Sequence, residues 1–418
     1  MNMKELKALI KFKKNYSKQN YNKVLLSRNF NFIISSLTKI LTIGQENLSF
    51  EKFLNQENIN KLKNINRIKD NDDKITNYDG IIIIDIENLE NHKEILNYIN
   101  TYSKNNIKII CVNIYTKKFN IMKLNKFDLV REEIITTSSL NSYNWSLPVI
   151  MLNNLIFRYL NKNHIYVFEK KFSKPKIKKN TKISIIVPCK NEEGNIQEIY
   201  SSFKNLDMNL EIIFGDDKST DNTKNKILNL KSLKNFEIKF YDGPNRGKSQ
   251  NVYKGLDIAT GDIVCIYDAD RTINVFDIKN IISKFIRHNW DFVNCSRMIL
   301  KQEKKAMKFS NYLGNIFFAK LFSFILNKKI SDTLCGTKIF YKEHWQLIKK
   351  TNSQWGKEDL WGDFDLLLGC YISNLKIKEI PIKYYERKEG VTKMKNVLNN
   401  GIRMLVISIT AIFKIKIL

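Results

Sequence analysis

The chain is poor in the residues that build metal centres and disulfide frameworks. It has four histidines in 418 residues, His92, His164, His288 and His344, and they do not cluster. That speaks against a histidine metal site or proton relay. Its six cysteines, Cys111, Cys189, Cys265, Cys295, Cys335 and Cys370, form no C-x-x-C pair. Several stand inside apolar runs, where cysteine packs as a small hydrophobe. The pattern excludes a zinc ribbon and suits a reducing compartment without disulfides. The sequence contains no G-x-x-x-x-G-K-[ST] and therefore no P-loop. It has no unbroken run of about 18 apolar residues, so no membrane-spanning helix is expected. The opening MNMKELKALIKFKKNYSK has neither an apolar core nor a cleavage pattern, and no secretory signal is expected. Internal repeats are absent as well.

Acidic residues are in deficit: 42 Asp and Glu stand against 70 Lys and Arg, a formal net charge of +28. So basic a surface suits anionic partners, although Asn, Lys and Ile are abundant throughout. At 43% hydrophobic and 27% charged the chain is globular, and its length suits two or three domains. A nucleic-acid binder would interleave basic patches with stacking aromatics. The lysines here are scattered, and no nucleic-acid partner is expected. Against this background one stretch stands out, GDIVCIYDADRTINVFD at 261–277, where an apolar run from Ile263 to Tyr267 ends in Asp268-Ala269-Asp270.

The basic segment EKKFSKPKIKKNTK, with Pro175, reads as a seam. It gives a domain over 1–170, a linker over 171–181, a domain over 182–395 and an apolar, basic tail over 396–418. In the first domain YDGIIIIDIENL (78–89) and NIKIICVNIY (106–115) flank the helical pattern ENHKEILNYINTYSK, a βαβ unit, and KILTIGQ (39–45) offers an earlier strand. This is a smaller, Rossmann-like α/β domain.

After the seam, strands over 182–188, 210–217 and 236–243 and the strand DIVCIYDAD alternate with helical patterns. NIQEIYSSFKNL sets Ile196, Ile199, Tyr200, Phe203 and Leu206 on one face, and STDNTKNKILNL opens on a Ser/Thr/Asp cap. Four βα units make a parallel sheet, and ligands of such sheets bind outside the carboxyl ends of the strands.

The polar residues gather at those ends. They are Pro188 to Glu193 after the first strand, Asp216-Asp217 after the second, DGPNRGKSQN with Arg246 and Lys248 after the third, and Asp268 and Asp270 after the fourth. Two carboxylates at i and i+2 can hold Mg²⁺ or Mn²⁺ against a diphosphate, leaving Lys and Arg to neutralise the remaining charge. A deeper carboxylate such as Asp216 can accept from a base N–H or a ribose hydroxyl. The whole describes a nucleotide-diphosphate site without a P-loop.

The ordered motifs IIVPCKNEEGNI, IIFGDDKSTDNT, NRGKSQNVYKGLDIATGDIVCIYDAD, VNCSR, DTLCGTKIFYK and EIPIKYYERKEGVTK resemble those of inverting, GT-A-fold glycosyltransferases of family 2. The branch resembled includes polyprenyl-phosphate mannosyl- and glucosyltransferases, and the likeness runs from 182 to about 395. It implies that Pro188, Lys190 and Glu192 contact the nucleotide and that Asp216 or Asp217, with Asp216 preferred, reads the base. Lys248 then lies beside base and ribose, Asp268 near ribose and diphosphate, and Asp270 on the metal, Mg²⁺ or Mn²⁺. Arg297 meets the donor and acceptor phosphates, and Arg387 and Lys393 clamp phosphate. The chain departs from the branch at Arg271-Thr272, where Leu-Gln is frequent.

In GKEDLWGDFDLLLG (356–369), Asp363 and Asp365 stand as a catalytic base, an acceptor-site carboxylate or a helix cap. The resemblance implies a UDP- or GDP-sugar donor and a polyprenyl phosphate acceptor. The alternative is a sugar hydroxyl acceptor in capsule or lipopolysaccharide assembly, which needs a base.

KKAMKFSNYLGNIFFAKLFSFILNKK (304–329) and GIRMLVISITAIFKIKIL (401–418) pair apolar faces with lysines and suit an anionic membrane surface. The location expected is cytoplasmic, peripheral on the inner face of the plasma membrane. The first domain is similar to class I S-adenosylmethionine-dependent methyltransferases. Its cofactor loop, TIGQENLS, has a single glycine where several let backbone approach a ligand. It is read as a degenerate relic without cofactor, rather than as the methyltransferase half of a bifunctional enzyme.

Overall fold

The computed structural model describes six strands before residue 171 and then residues 181–417, except 231, 234–235, 289, 301, 303–306, 308, 353, 388 and 390–396. The chain divides into two compact units, Met1–Ser173 with Ile412–Leu418, and Lys174–Ala411.

The first unit holds β1 (Ile40–Ile43), β2 (Leu62–Ile65), β3 (Gly80–Ile84), β4 (Lys108–Asn113), β5 (Phe127–Thr136) and β6 (Lys162–Lys170). They form one sheet in the order β2-β1-β3-β4-β6-β5. β2, β1, β3 and β4 are parallel, while β6 runs antiparallel to both β4 and β5. Ile81 and Ile109 are fully buried at the centre, as continuous aliphatic runs in a two-sided sheet require. The expected helix over ENHKEILNYINTYSK and the linker over 171–180 lie outside the described residues.

The second unit is built on seven strands, β7 (Ile183–Cys189), β8 (Leu210–Asp216), β9 (Glu237–Asp242), β10 (Ile263–Ile266), β11 (Phe292–Ser296), β12 (Lys338–Tyr341) and β13 (Ile377–Pro381). Their order is β13-β11-β12-β10-β7-β8-β9. Among these strands β12 alone runs against its neighbours, β10 and β11. The central strands are buried except at Pro188 and Tyr341, and the edge strand β9 carries exposed Glu237 and Asp242. Charge on an edge discourages pairing with another chain.

The helices are α1 (Glu193–Lys204), α2 (Thr223–Leu230), α3 (Lys248–Ile258), α4 (Val275–Arg287), α5 (Phe309–Ile325), α6 (His344–Lys349), α7 (Asp363–Ile372) and α8 (Val397–Ile412). α1 buries Ile196, Ile199, Tyr200 and Phe203, the face read from the sequence. α2 begins where Asp221 accepts from the Thr223 N–H at 3.0 Å, the expected acidic cap. These faces join Ile185, Val187, Phe214 and Cys265 in one core. The five described cysteines are buried and outside any disulfide.

Two apolar helices differ from expectation. α5 is apolar all round: Phe318, Phe322 and Ile325 face the core, while Phe309, Tyr312, Leu313 and Phe317 are exposed. α8 continues through Phe413–Ile417 in π geometry, so one unbroken helix contains the 18-residue stretch Leu398–Ile415, of mean hydropathy 1.3. By length and composition it is long enough to cross a membrane, where none was expected. Asn399, Asn400 and Arg403 break its apolar run and hide it from a search for unbroken stretches. One third of it is buried within the protein.

Candidate active site

Strand register sets the site. Cys189 lies beside Asp216, and Asp216 beside Asp242, so β7, β8 and β9 end level. β10 joins the other flank of β7 with Ile266 beside Ile186. Backbone bonds carry the ladder one step further, from Asp217 N–H to the Cys189 carbonyl at 2.9 Å and from Tyr267 N–H to the Ile186 carbonyl at 2.9 Å. The loops that follow therefore share one edge.

At the β10 end both carboxylates are ion-paired. Asp268 meets Lys248 Nζ at 2.5 Å, and Asp270 meets the Arg387 guanidinium at 2.6 Å. Lys248 opens α3, and the glycine before it has a φ of 92°, a left-handed conformation that an L side chain resists. Burial works against the Lys248 charge, but Asp268, Asp363 and Asp270 outweigh it and raise its pKa above the ordinary lysine value. Burial likewise opposes the Asp268 charge, and Lys248, Arg297 and Lys338 hold its carboxyl below the usual range. Seven charges thus form one cluster: Lys248, Asp268, Asp270, Arg297, Lys338, Asp363 and Arg387.

Three members of the surround carried no assigned role in the sequence. Asp332, fully buried, takes the Arg297 guanidinium through two bonds of 2.8 and 2.9 Å and also accepts from Asn315 at 2.7 Å. Arg297 stacks over the Tyr384 ring at 5.1 Å. The expected phosphate contact is therefore a guanidinium oriented by a bidentate partner. Lys338, fully buried on β12, pairs with Asp363 at 3.2 Å and donates to the Cys335 carbonyl. Gly336 lies against the site: a Cβ there would collide with Lys248 Nζ and the Asp268 carboxylate. One signal in DTLCGTKIF points to part of this, a lysine heading a strand between buried strands, which demands a counter-ion.

Asp363 and Asp365 both lie in the first turn of α7 and are buried. Neither is the cap. Asp359 takes that part, accepting from the N–H groups of Trp361, Phe364 and Asp365 at 2.8–3.1 Å. Burial first, and then Asp363, pushes the Asp359 carboxyl up. Asp365 accepts from the Tyr253 hydroxyl at 3.1 Å.

The β7–β8 end forms a second group. Asp217 accepts from the Asn245 N–H at 2.7 Å and lies 3.8 Å from Lys190 Nζ, which also donates to the Asn245 side chain at 3.2 Å. Asp216 turns instead to Ser219, whose hydroxyl and N–H both donate to it. The structure thus joins Asp217, rather than the preferred Asp216, to Lys190. Glu192 sits at the start of α1, accepting from Asn195 at 2.7 Å. Pro188 is half-buried and lies beside Gly215 in register. Lys393 lies outside the described residues.

Among the described residues no group of three or more His, Cys, Asp or Glu converges as a cation site. Asp268 and Asp270 offer oxygen alone, and only two carboxylates. Such a donor set fits Mg²⁺ or Mn²⁺ that completes its shell with phosphate oxygens and water.

Residues 184–348 match the profile of the family described as glycosyl transferase family 2. The seven-stranded α/β sheet beneath them has the GT-A type fold. A dolichyl-phosphate beta-glucosyltransferase of Trichomonas vaginalis is 22% identical over 62% of this chain and 81% of its own length. A dolichol-phosphate mannosyltransferase of Pyrococcus furiosus is 35% identical over 51% of this chain and 59% of its own length. The solved glucosyl-3-phosphoglycerate synthase of Mycobacterium tuberculosis, in complex with Mn²⁺ and uridine-diphosphate, is similar at 15% identity. That match has a TM-score of 0.41 and covers 56% of this chain and 80% of the other.

Proposed function

From the family 2 glycosyltransferase domain of its second unit, we propose that the protein moves a sugar from a UDP- or GDP-sugar to a polyprenyl phosphate, with inversion at C1. The observation that carries this reading is the β10 end, where Asp268 and Asp270 stand among Lys248, Arg297 and Arg387. A diphosphate needs both halves of that arrangement: cations for its oxygens, and carboxylates for the divalent ion it brings. Asp270, with Asp268 beside it, would hold Mg²⁺ or Mn²⁺, which supplies charge neutralisation to the leaving group.

The protein's own groups do the rest. Lys190, Asp217 and Asn245 meet the nucleoside, and Lys248 meets the ribose side of the diphosphate. Asp332 fixes Arg297 so that its guanidinium faces phosphate oxygens at constant geometry. An acceptor phosphate oxygen forms the new bond to C1 from the face opposite the diphosphate. The old C1–O bond breaks, and its electron pair leaves with the nucleoside diphosphate. The acceptor oxygen is already anionic, so no base is required.

The exposed apolar residues of α5 and the long α8 helix, in a chain of net charge +28, support a site of action at an anionic membrane surface. That surface is the inner face of the plasma membrane. The first unit acts as a methyltransferase-like relic without S-adenosylmethionine, a reading supported by its Rossmann-like strand order and by the lone glycine of TIGQENLS.

The test is a donor screen. UDP- and GDP-sugars are offered with Mn²⁺ or Mg²⁺, with and without a short-chain polyprenyl phosphate. Release of nucleoside diphosphate that needs both metal and lipid phosphate is expected. Release that needs a sugar hydroxyl acceptor instead would move the assignment to the alternative enzyme.

A further inference from the structure

The two β10 carboxylates are already neutralised by cations of the chain itself, and one of those cations arrives on a strap. After β13 the backbone runs across the carboxyl edge of the sheet. Ile382 N–H bonds the Ser296 carbonyl at 2.9 Å, Tyr385 N–H bonds the Thr272 carbonyl at 3.0 Å, and Arg387 then reaches Asp270 at 2.6 Å. Two residues on, Glu389 lies by the start of α1, where a Cβ built on Gly194 would come 3.2 Å from its carboxylate. Asp270 also accepts from Thr272, through the hydroxyl at 2.8 Å and the N–H at 3.2 Å. Both oxygens of the metal-side carboxylate therefore have partners.

We propose that Arg387 is an internal counter-ion which occupies Asp270 until a divalent cation and a nucleoside diphosphate arrive together. It makes the binding of the two interdependent. This deepens the reading of the site given above and rests on it. A divalent ion alone must break a short charge-assisted pair to reach Asp270 and strips Arg387 of that carboxylate. A diphosphate alone must take Arg387 away from a carboxylate that is then bare. When both bind, the ion takes Asp270, the diphosphate takes Arg387, and no charge is left unmatched. The same exchange serves the Lys248–Asp268 pair at 2.5 Å. By linkage, each ligand strengthens the other by the same factor.

The test is binding of Mn²⁺ to the full-length protein, read by electron paramagnetic resonance of the free ion, with and without UDP or GDP. Wild type is compared with Arg387→Gln and Arg271→Gln. Arg271 lies one residue from Asp270 but pairs with Glu198 at 3.3 Å, so its loss removes the same charge without uncovering Asp270.

Arg387→Gln is expected to bind Mn²⁺ alone about tenfold more tightly than wild type, because the competent form of Asp270 no longer has to be released. The strengthening by nucleotide should shrink by a similar factor. Arg271→Gln should track wild type to within about twofold, the scale of a screened surface charge. Equal Mn²⁺ affinity in wild type and Arg387→Gln, or equal gains in both arginine variants, would overturn the proposal while leaving the glycosyltransferase reading intact. Absence of Mn²⁺ binding in every protein, with and without nucleotide, would overturn both. Thermal melts of the three proteins establish that each is folded, and Arg387→Lys, which keeps the charge, is expected to retain the wild-type interdependence.

Discussion

At the amino end of the seven-stranded sheet, Glu211 is fully buried and satisfied from every side. Lys239 reaches it at 2.7 Å, the Thr260 N–H and hydroxyl at 2.7 Å each, the Gly261 N–H at 3.2 Å and Lys182 at 3.2 Å, and the Ser184 hydroxyl also donates to it. At the carboxyl end Asp268 keeps 27% of its side chain exposed, and its main partner, Lys248, keeps 27% as well. Both ends set a carboxylate among lysines. The first has used up its hydrogen-bonding capacity inside the protein, and nothing remains for a ligand. The second is held by a few ion pairs that open toward solvent and can be exchanged. A charged cluster alone is therefore weak evidence of function, and what separates the two ends is whether the carboxylate is sealed from solvent, as Glu211 is, or open to a ligand, as Asp268 is.

The largest effect that sharpens this comparison is expected at the open end. Asp270→Ala should lower turnover of a nucleotide-sugar by about a hundredfold or more, the scale of removing one charge-stabilising group from an active site. Its melting temperature should stay near wild type, since the Asp270–Arg387 pair is partly exposed. Turnover assays in Mn²⁺ beside a thermal melt check both halves, and full activity would refute the site. Gly336→Ala comes next. Its Cβ would press on Lys248 and Asp268, so a loss of about 10- to 100-fold in turnover is expected from displaced groups. Overpacking should also cost about 1–3 kcal/mol of stability, read from urea melts.

Glu211→Gln inverts the pattern. It should cost about 2–3 kcal/mol of stability by leaving Lys239 without its buried partner, yet leave turnover per folded molecule unchanged. Burial by itself raises the Glu211 carboxyl, but the bonds from Lys239, Ser184 and Thr260 reverse this and hold it below the ordinary value of 4.5. A depressed folded-state pKa gives stability that is full above the unfolded value and is lost as pH falls below it. The wild-type advantage over Glu211→Gln should therefore be constant near neutrality and shrink progressively below about pH 4.5. Denaturant melts across pH check the trend, and an advantage that grows on acidification would reverse the assignment.

The parallel strands and the carboxyl-end location of the candidate site were legible because most of these strands are largely apolar runs ending in charge, as at Ile263 to Asp270. The faces of α1 and the cap of α2 were legible for the same local reason. What was hidden depends on distant contacts. No local pattern reveals that Arg297 is oriented by Asp332, 35 residues on, or that Lys338 answers Asp363. Gly336 reads in sequence as one more turn glycine, and only its packing against Lys248 shows why a side chain is excluded. Asp363 and Asp365 looked equivalent as possible caps, because the capping residue, Asp359, lies outside the helix in an irregular loop.

The smallest expected effect falls on Asp365, and it separates the two acceptor chemistries. Asp365 is bonded to the Tyr253 hydroxyl and is buried in the first turn of α7. Burial first, and then Asp365, raises the Tyr253 phenol well above its ordinary value, so that hydroxyl keeps its proton and donates it in the bond to Asp365. Asp365→Asn keeps the shape and an acceptor for that hydroxyl. With an anionic phosphate acceptor there is no proton to remove, and turnover should change by no more than about threefold, well short of the 10²–10⁴ that a general base contributes. With a hydroxyl acceptor and Asp365 as base, the same change would remove that contribution and flatten the acid limb of the rate profile. Measuring turnover of Asp365→Asn against pH, with each acceptor in turn, decides between them. A drop of a hundredfold with polyprenyl phosphate would mean that Asp365 belongs to the reacting centre after all.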